Sequence, residues 1–246
     1  MRLQLMTWPD VERYLARATG VIVPIGSTEQ HGPTGLIGTD ALTAEGLAVA
    51  AANAAEAVVA PTLAVGMAQH HLGFPGSAAL RPSTLIAVVR DVVSSLATGG
   101  FRRFFFVNGH GGNVATLNAS FSEIYAETSF ARRAGELRCT VFNWYEAPSL
   151  VPFVRETYGD QEGSHATPSE VALAAYYHPG ALRELALDPP VAPAGHDFSD
   201  AADYRRRFPD GRIGSNPALA RAEHGQRIHE LVVADIATAY REFVSD

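Results

Sequence analysis

Two apolar runs in this chain stop abruptly at a glycine-flanked histidine, and no other feature restricts the possible folds so strongly. Val21-Ile22-Val23, with Ile25, gives way to Gly26-Ser27-Thr28-Glu29-Gln30-His31-Gly32-Pro33. Arg103-Phe104-Phe105-Phe106-Val107 runs straight into Asn108-Gly109-His110-Gly111-Gly112-Asn113. Both runs are short and bounded by glycine, and they read as buried strands. Residues 58–63 and 137–144 are two more strand-like runs. Helix-length segments alternate with them. Residues 41–55 are Ala-rich. Residues 83–96, with Ser83 as N-cap, keep Leu85, Val88, Val89, Val92, Val93 and Leu96 at helical spacing until Gly99-Gly100 ends the pattern. A third helix is expected over 114–133. This alternation predicts one α/β domain spanning 1–246, a mostly parallel sheet flanked by helices on both faces. Such sheets bind ligands outside the carboxyl ends of their strands, which is where both histidine loops fall.

The ends of the chain are less regular. Trp8-Pro9-Asp10 opens a short capped helix before the first strand. Beyond Pro148 the pattern loosens, with a polar loop at 162–168 and a helix at 169–177. Residues 179–217 are proline-rich and irregular, and read as a surface excursion or oligomer contact that helps shape the pocket. A final amphipathic helix covers 217–244. No repeat or composition break calls for a second domain.

Composition narrows the function. The net charge is −7 and the pI about 5.7, which argues against nucleic acid or an anionic membrane as principal partner. The one basic cluster, Arg205-Arg206-Arg207, lies among Asp200, Asp203 and Asp210 and reads as a solvated or interfacial turn. A single cysteine, Cys139, excludes an intramolecular disulfide or a thiolate metal site and reads as core. No apolar span of membrane length and no signal-type segment is evident, so the expected location is cytoplasmic.

The chemistry concentrates in three loops. Glu29 and His31, two residues apart on extended backbone, point to the same side. Asp40 stands where the 41–55 helix begins, either as an N-cap or as a third donor. His110 lies among Gly109, Gly111 and Gly112, where glycine lets the backbone approach a ligand closely, and Asn113 would cap the next helix. In Glu162-Gly163-Ser164-His165-Ala166-Thr167-Pro168-Ser169-Glu170, Glu170 falls in the first turn of a helix, where capping alone would account for it. His165 has no such role. Glu29, His31, Asp40, His110 and Glu170 together suit Zn, Mn or Fe rather than Ca. Five donors exceed what one open metal site needs and match two divalent metal ions sharing a carboxylate and a hydroxide. That arrangement supplies a nucleophile at neutral pH and polarises a carbonyl. The remaining histidines, His178, His196, His224 and His229, read as surface, interface or capping residues. His70 is expected to line the pocket beside His71.

The segments 26–33 and 108–113, and His165-Ala166 with Glu170, resemble the creatininase (creatinine amidohydrolase) family in type and order, over residues 21–177. The resemblance implies a binuclear metal centre, hydrolysis of a non-peptide or cyclic amide bond of a small molecule, and a homo-oligomer, commonly a hexamer. It makes Glu29 and His110 ligands of one metal and His31 of the other, with Asp40 bridging. It makes His165 the residue that passes a proton to the leaving nitrogen, and His71 a polar active-site residue. Creatinine-hydrolysing members carry a glutamate ligand where this chain has Gly112, and Glu170 is the substitute. They also carry a tryptophan-lined substrate loop, whereas Glu162 to Ser164 contains no aromatic residue. The alternatives are a deformylase or peptide-end hydrolase of the same family, or a non-catalytic small-molecule-binding member.

Overall fold

In a computed structural model that describes residues 1–132, 135–180 and 183–245, strands β1 (Gly20–Ile25), β2 (Val58–Val59), β3 (Arg103–Asn108) and β4 (Arg138–Asn143) form one sheet in the order β2-β1-β3-β4. Every pairing is parallel. Helices α2 (Thr39–Ala55), α3 (Pro82–Thr98) and α4 (Asn113–Phe130) make the crossovers. The chain steps from β1 to β2 on one side, then returns past β1 to β3. The switch point therefore lies between β1 and β3, which end level at Ile25 and Asn108. At such a switch point neighbouring loops diverge and leave a crevice.

Strand alternation divides the core. Ile22, Val59, Phe105 and Val107 face α2 and two later helices, α6 (Pro168–Tyr177) and α8 (Ala222–Ser245). Val21, Val23, Ile25, Phe104 and Phe106 face α3, α4 and the N-terminal α1 (Trp8–Leu15). Successive side chains of a strand point to opposite faces, so the aromatic triplet serves both layers. Residues 150–157 form α5 (Leu150–Thr157).

Several boundaries differ from expectation. The 58–63 run is ordered as strand only over Val58–Val59, with Leu63 in an isolated bridge to Ile25. Pro61 between them lacks the N–H a ladder needs. Helix α3 is preceded by Arg81 rather than capped by Ser83, with Pro82 in its first turn. Asn113 begins α4 instead of capping it. The expected end of that helix at Arg133 lies outside the described residues. The 179–217 excursion contains α7 (Ala201–Arg207), which ends in the basic cluster. Arg206 and Arg207 pair with Asp203, and Arg205 lies 4.0 Å over the Phe74 ring. Cys139 is half-buried on β4, and burial pushes its thiol up to about 12, which disfavours the thiolate. No helix among the described residues is long and apolar enough to cross a membrane.

Candidate metal centre

The loop after β1 folds back through Glu29 N–H, which donates to Ile37 O at 2.8 Å. This turn buries Glu29 and His31 completely and brings them against the start of α2. Gly38 is the N-cap of α2, and Asp40 sits in its first turn without a capping bond. The cap reading of Asp40 thus fails, and its carboxylate is free to face the crevice. His31 donates from Nδ1 to its neighbour Glu29 O at 3.2 Å, which leaves Nε2 at 2.9 Å from Asp40 Oδ1. His110 donates from Nε2 to Met67 O at 2.9 Å. Its Nδ1 then lies 3.2 Å from both Glu29 Oε1 and Asp40 Oδ2. An imidazole that gives one N–H to a backbone carbonyl and turns the other nitrogen on carboxylates has the habit of a metal ligand.

Three sets of donors lie within 4.8 Å of one another: Glu29–Asp40–His110, His31–Asp40–Glu170 and Glu29–His31–His165. Asp40 belongs to the first two. Both Glu29 oxygens, His31 Nε2 and Asp40 Oδ2 are buried without a hydrogen-bond partner. Each such atom costs about 1–3 kcal/mol unless something satisfies it, and several converging on one point fit a cation. Glu170 has a double role. It completes a capping box with Thr167, receiving Thr167 N–H at 2.8 Å, and it belongs to the second donor set.

The electrostatics agree. Burial disfavours a charged His31, yet Asp40, Glu170 and Glu29 outweigh it and raise the imidazole to about 10. Against the same desolvation, Glu29 and Asp40 raise His110 well above its ordinary value. Burial would lift the Glu29 carboxyl, but His110 and His71 hold it well below the usual range. Burial raises Glu170, with His31 opposing and Asp40 adding to it. Three carboxylates in a dry site thus demand positive charge. His165 differs: burial, then His71 and His31, push it well down and keep it neutral.

His71 Nε2 lies 3.1 Å and His165 Nδ1 3.8 Å from Glu29 Oε1, and the two rings stack at 4.4 Å. All seven residues expected from the sequence therefore meet in one place. Gly112 is explained too: a Cβ there would collide with His110 Nε2, so a side chain at this position would displace His110. Glu170 approaches from α6 instead.

Several contributors are not legible in the sequence, three of them at the excursion. His196, expected as a surface, interface or capping residue, lines the same cavity of about 260 Å³ as His70, His110 and Glu170. Like His31 and His110 it has a glycine neighbour in sequence, Gly195, and that is the one local signal pointing to it. Ser215 donates its hydroxyl to His165 O at 2.7 Å. The fully buried Arg212 ties the excursion together through Pro189 O, Pro190 O, Ser215 O and Asp210. A larger cavity of about 500 Å³ adjoins the first, sharing Gly111, Ser164 and Glu170.

This doubly wound sheet with a shared-carboxylate cluster at its switch point defines a metal-dependent hydrolase. The chain belongs to the creatininase family, whose model, described as creatinine amidohydrolase, matches residues 4–240. Creatinine amidohydrolase of Pseudomonas putida is 26% identical over 249 residues, covering 96% of this chain and 95% of that protein. Mycofactocin precursor peptide peptidase of Mycolicibacterium smegmatis is 39% identical over 127 residues, 49% of this chain and 50% of that one. That match therefore spans about half the length of each protein. Among solved structures, a creatininase described with Mn superposes with a TM-score of 0.86 at 25% identity, covering 100% of this chain and 99% of that one. A mutant creatininase described as Zn–Zn type gives 0.85 at 26% identity, covering 100% and 98%.

Proposed function

We propose that this single-domain chain is a binuclear metal-dependent amidohydrolase that cleaves a carbon–nitrogen amide bond of a small molecule. The observation that carries the reading is the position of Asp40, whose Oδ1 faces His31 and whose Oδ2 faces His110. One carboxylate thus serves both donor sets. Glu29 and His110 would hold one ion with Asp40, and His31 and Glu170 the other. This nitrogen–oxygen donor set suits Zn, with Mn or Fe as alternatives. When bound, such a pair lowers the pKa of water toward neutrality and polarises a carbonyl.

The remaining work falls to the protein. His165, neutral and buried, takes the proton of the attacking water and returns it to the nitrogen as the carbon–nitrogen bond breaks. His71 presents its Nε2 to the same space and stabilises charge developing on the carbonyl oxygen. Burial of Glu29, His31 and Asp40 keeps bulk water from screening these charges.

A specific observation supports a peptide-end substrate as the second reading. The cavity of about 500 Å³ beside Glu170 is open to solvent and carries Tyr145, Val151, Val154 and Arg155, so it has room for more than one small ring. The match to the mycofactocin peptidase agrees with it. The same overall reading carries a homo-oligomer, a hexamer by resemblance, in the cytoplasm; light scattering on the purified protein tests its size.

Metal content per chain, measured by elemental mass spectrometry on protein purified without chelator, is the deciding experiment. Wild type should hold about two ions and Glu170→Ala about one. Wild type that stays metal-free after reconstitution with Zn or Mn would overturn the hydrolase mechanism.

A further inference from the structure

Gln30 lies between the two metal-site residues Glu29 and His31 and has no place in the donor sets, yet its side chain is 4% exposed and fully engaged. Its orientation is unambiguous because backbone groups hold both ends of the amide. Gly32 N–H, which can only donate, reaches Oε1 at 2.7 Å. Gly211 O, which can only accept, lies 2.9 Å from Nε2. The absence of a side chain at Gly211 makes the second contact possible, since a Cβ there would collide with the Gln30 amide.

Two ring nitrogens also lie 2.9 Å from Gln30 Nε2: His71 Nδ1 and His165 Nε2. With one amide hydrogen committed to Gly211, only one remains. His165 Nε2 lies 2.8 Å from the backbone carbonyl of Gln30. A carbonyl oxygen only accepts, so His165 Nε2 carries a proton and cannot receive another. The free amide hydrogen therefore goes to His71 Nδ1, and His71 carries its proton on Nε2, the nitrogen 3.1 Å from Glu29 Oε1.

We infer that Gln30 is a positioning residue that sets opposite roles for the two stacked histidines: its side-chain amide makes His71 present an N–H to the reaction space, while its main-chain carbonyl makes His165 present a bare Nδ1. This inference rests on the amidohydrolase reading for its consequence, because a donor and an acceptor side by side are what oxyanion stabilisation and proton transfer require. The hydrogen-bond assignment itself is independent of that reading.

The test is a long-range ¹⁵N–¹H correlation spectrum of the zinc-loaded, histidine-labelled protein, which separates Nδ1–H from Nε2–H imidazoles without any substrate. Wild type should show both His71 and His165 as Nε2–H. In Gln30→Glu, whose carboxylate only accepts, His71 should move its proton to Nδ1 while His165 stays unchanged. In Gln30→Met, which keeps the length and loses the donor, His71 should lose its single tautomer. In both variants kcat should fall about 10- to 100-fold with KM within about twofold and zinc content unchanged, a pattern that general loosening of the fold would not produce. An Nδ1–H His71 in wild type, or an unaltered His71 in Gln30→Met, would overturn the inference. Those spectra remain readable if the protein hydrolyses no amide, so failure of the enzyme reading is seen separately, in the metal content and activity.

Discussion

The carboxyl edge of the sheet and the 183–216 excursion meet over the same cavity, and they are built in opposite ways. At the edge, parallel register brings two loops out side by side, and backbone carbonyls of Glu29 and Met67 aim His31 and His110. Periodic hydrogen bonding does the positioning. The excursion has one short helix and no named strand, and it is held by a buried guanidinium that collects carbonyls at Pro189, Pro190 and Ser215. It still reaches the chemistry: Ile213 pairs with His165 in an antiparallel bridge, and Ser215 bonds the His165 carbonyl. Ala166, at φ 52 in the left-handed region, turns the chain there. A residue other than glycine held so costs about 1–3 kcal/mol. The edge and the start of α2 therefore supply Glu29, His31, Asp40 and His110, α6 adds Glu170, and the excursion supplies the shape around His165.

The strongest way to break this division is at Asp40. Asp40→Ala should empty both donor sets at once and lower kcat/KM on the order of 10⁴-fold, with elemental analysis showing little bound metal. Retention of one full ion would mean that Asp40 serves a single site and that the edge is two independent ligand sets.

The excursion is tested at Arg212. Arg212→Ala leaves several carbonyls and Asp210 without their common partner, and should lower unfolding stability by about 3–5 kcal/mol, read from denaturant titration. Metal content should remain that of wild type while activity falls about 10- to 100-fold, through the loosened His165 loop. Wild-type activity in the folded variant would reduce the excursion to a cover.

The seam between the two regions gives the smallest effect. Burial pushes the Glu162 carboxyl up, the Ser169 hydroxyl opposes this and Glu170 adds to it, so that it titrates at about 7 rather than 4.5. The folded protein then holds this proton longer than the unfolded chain does. Its contribution to wild-type stability should therefore fall as pH rises from about 4.5 through about 7. Glu162→Gln should match wild type near pH 4 and exceed it by about 1–3 kcal/mol near pH 8, measured by thermal unfolding. Equal stability at both pH values would place Glu162 in water.

Legibility in the sequence follows the same division. Phe104 to Phe106 and Val21 to Ile25 announce their strands because burial on both faces demands unbroken apolar runs. Glu29, His31 and His110 stand out because glycine crowds them at strand ends. Asn113 misled for a good reason: it has the side chain of a cap, but it spends its amide on Gly26 O, Asn108 Oδ1 and Met67 N–H. Two of those partners, Gly26 and Met67, are distant in sequence and leave no local trace. Arg212 and Gln30 were illegible on similar grounds, one a charge expected at the surface and the other a polar residue inside a loop.

By itself the sequence determined the alternation of strand and helix, the parallel sheet and the loops that carry the candidate donors, since periodicity and glycine placement act over a few residues. Only the tertiary structure decided that Asp40 faces two imidazoles rather than capping its helix. It alone decided that Gly112 leaves room for no other side chain, and that residues 183–216 fold back over His165. These outcomes depend on distances between segments far apart in the chain, and no local pattern encodes a distance.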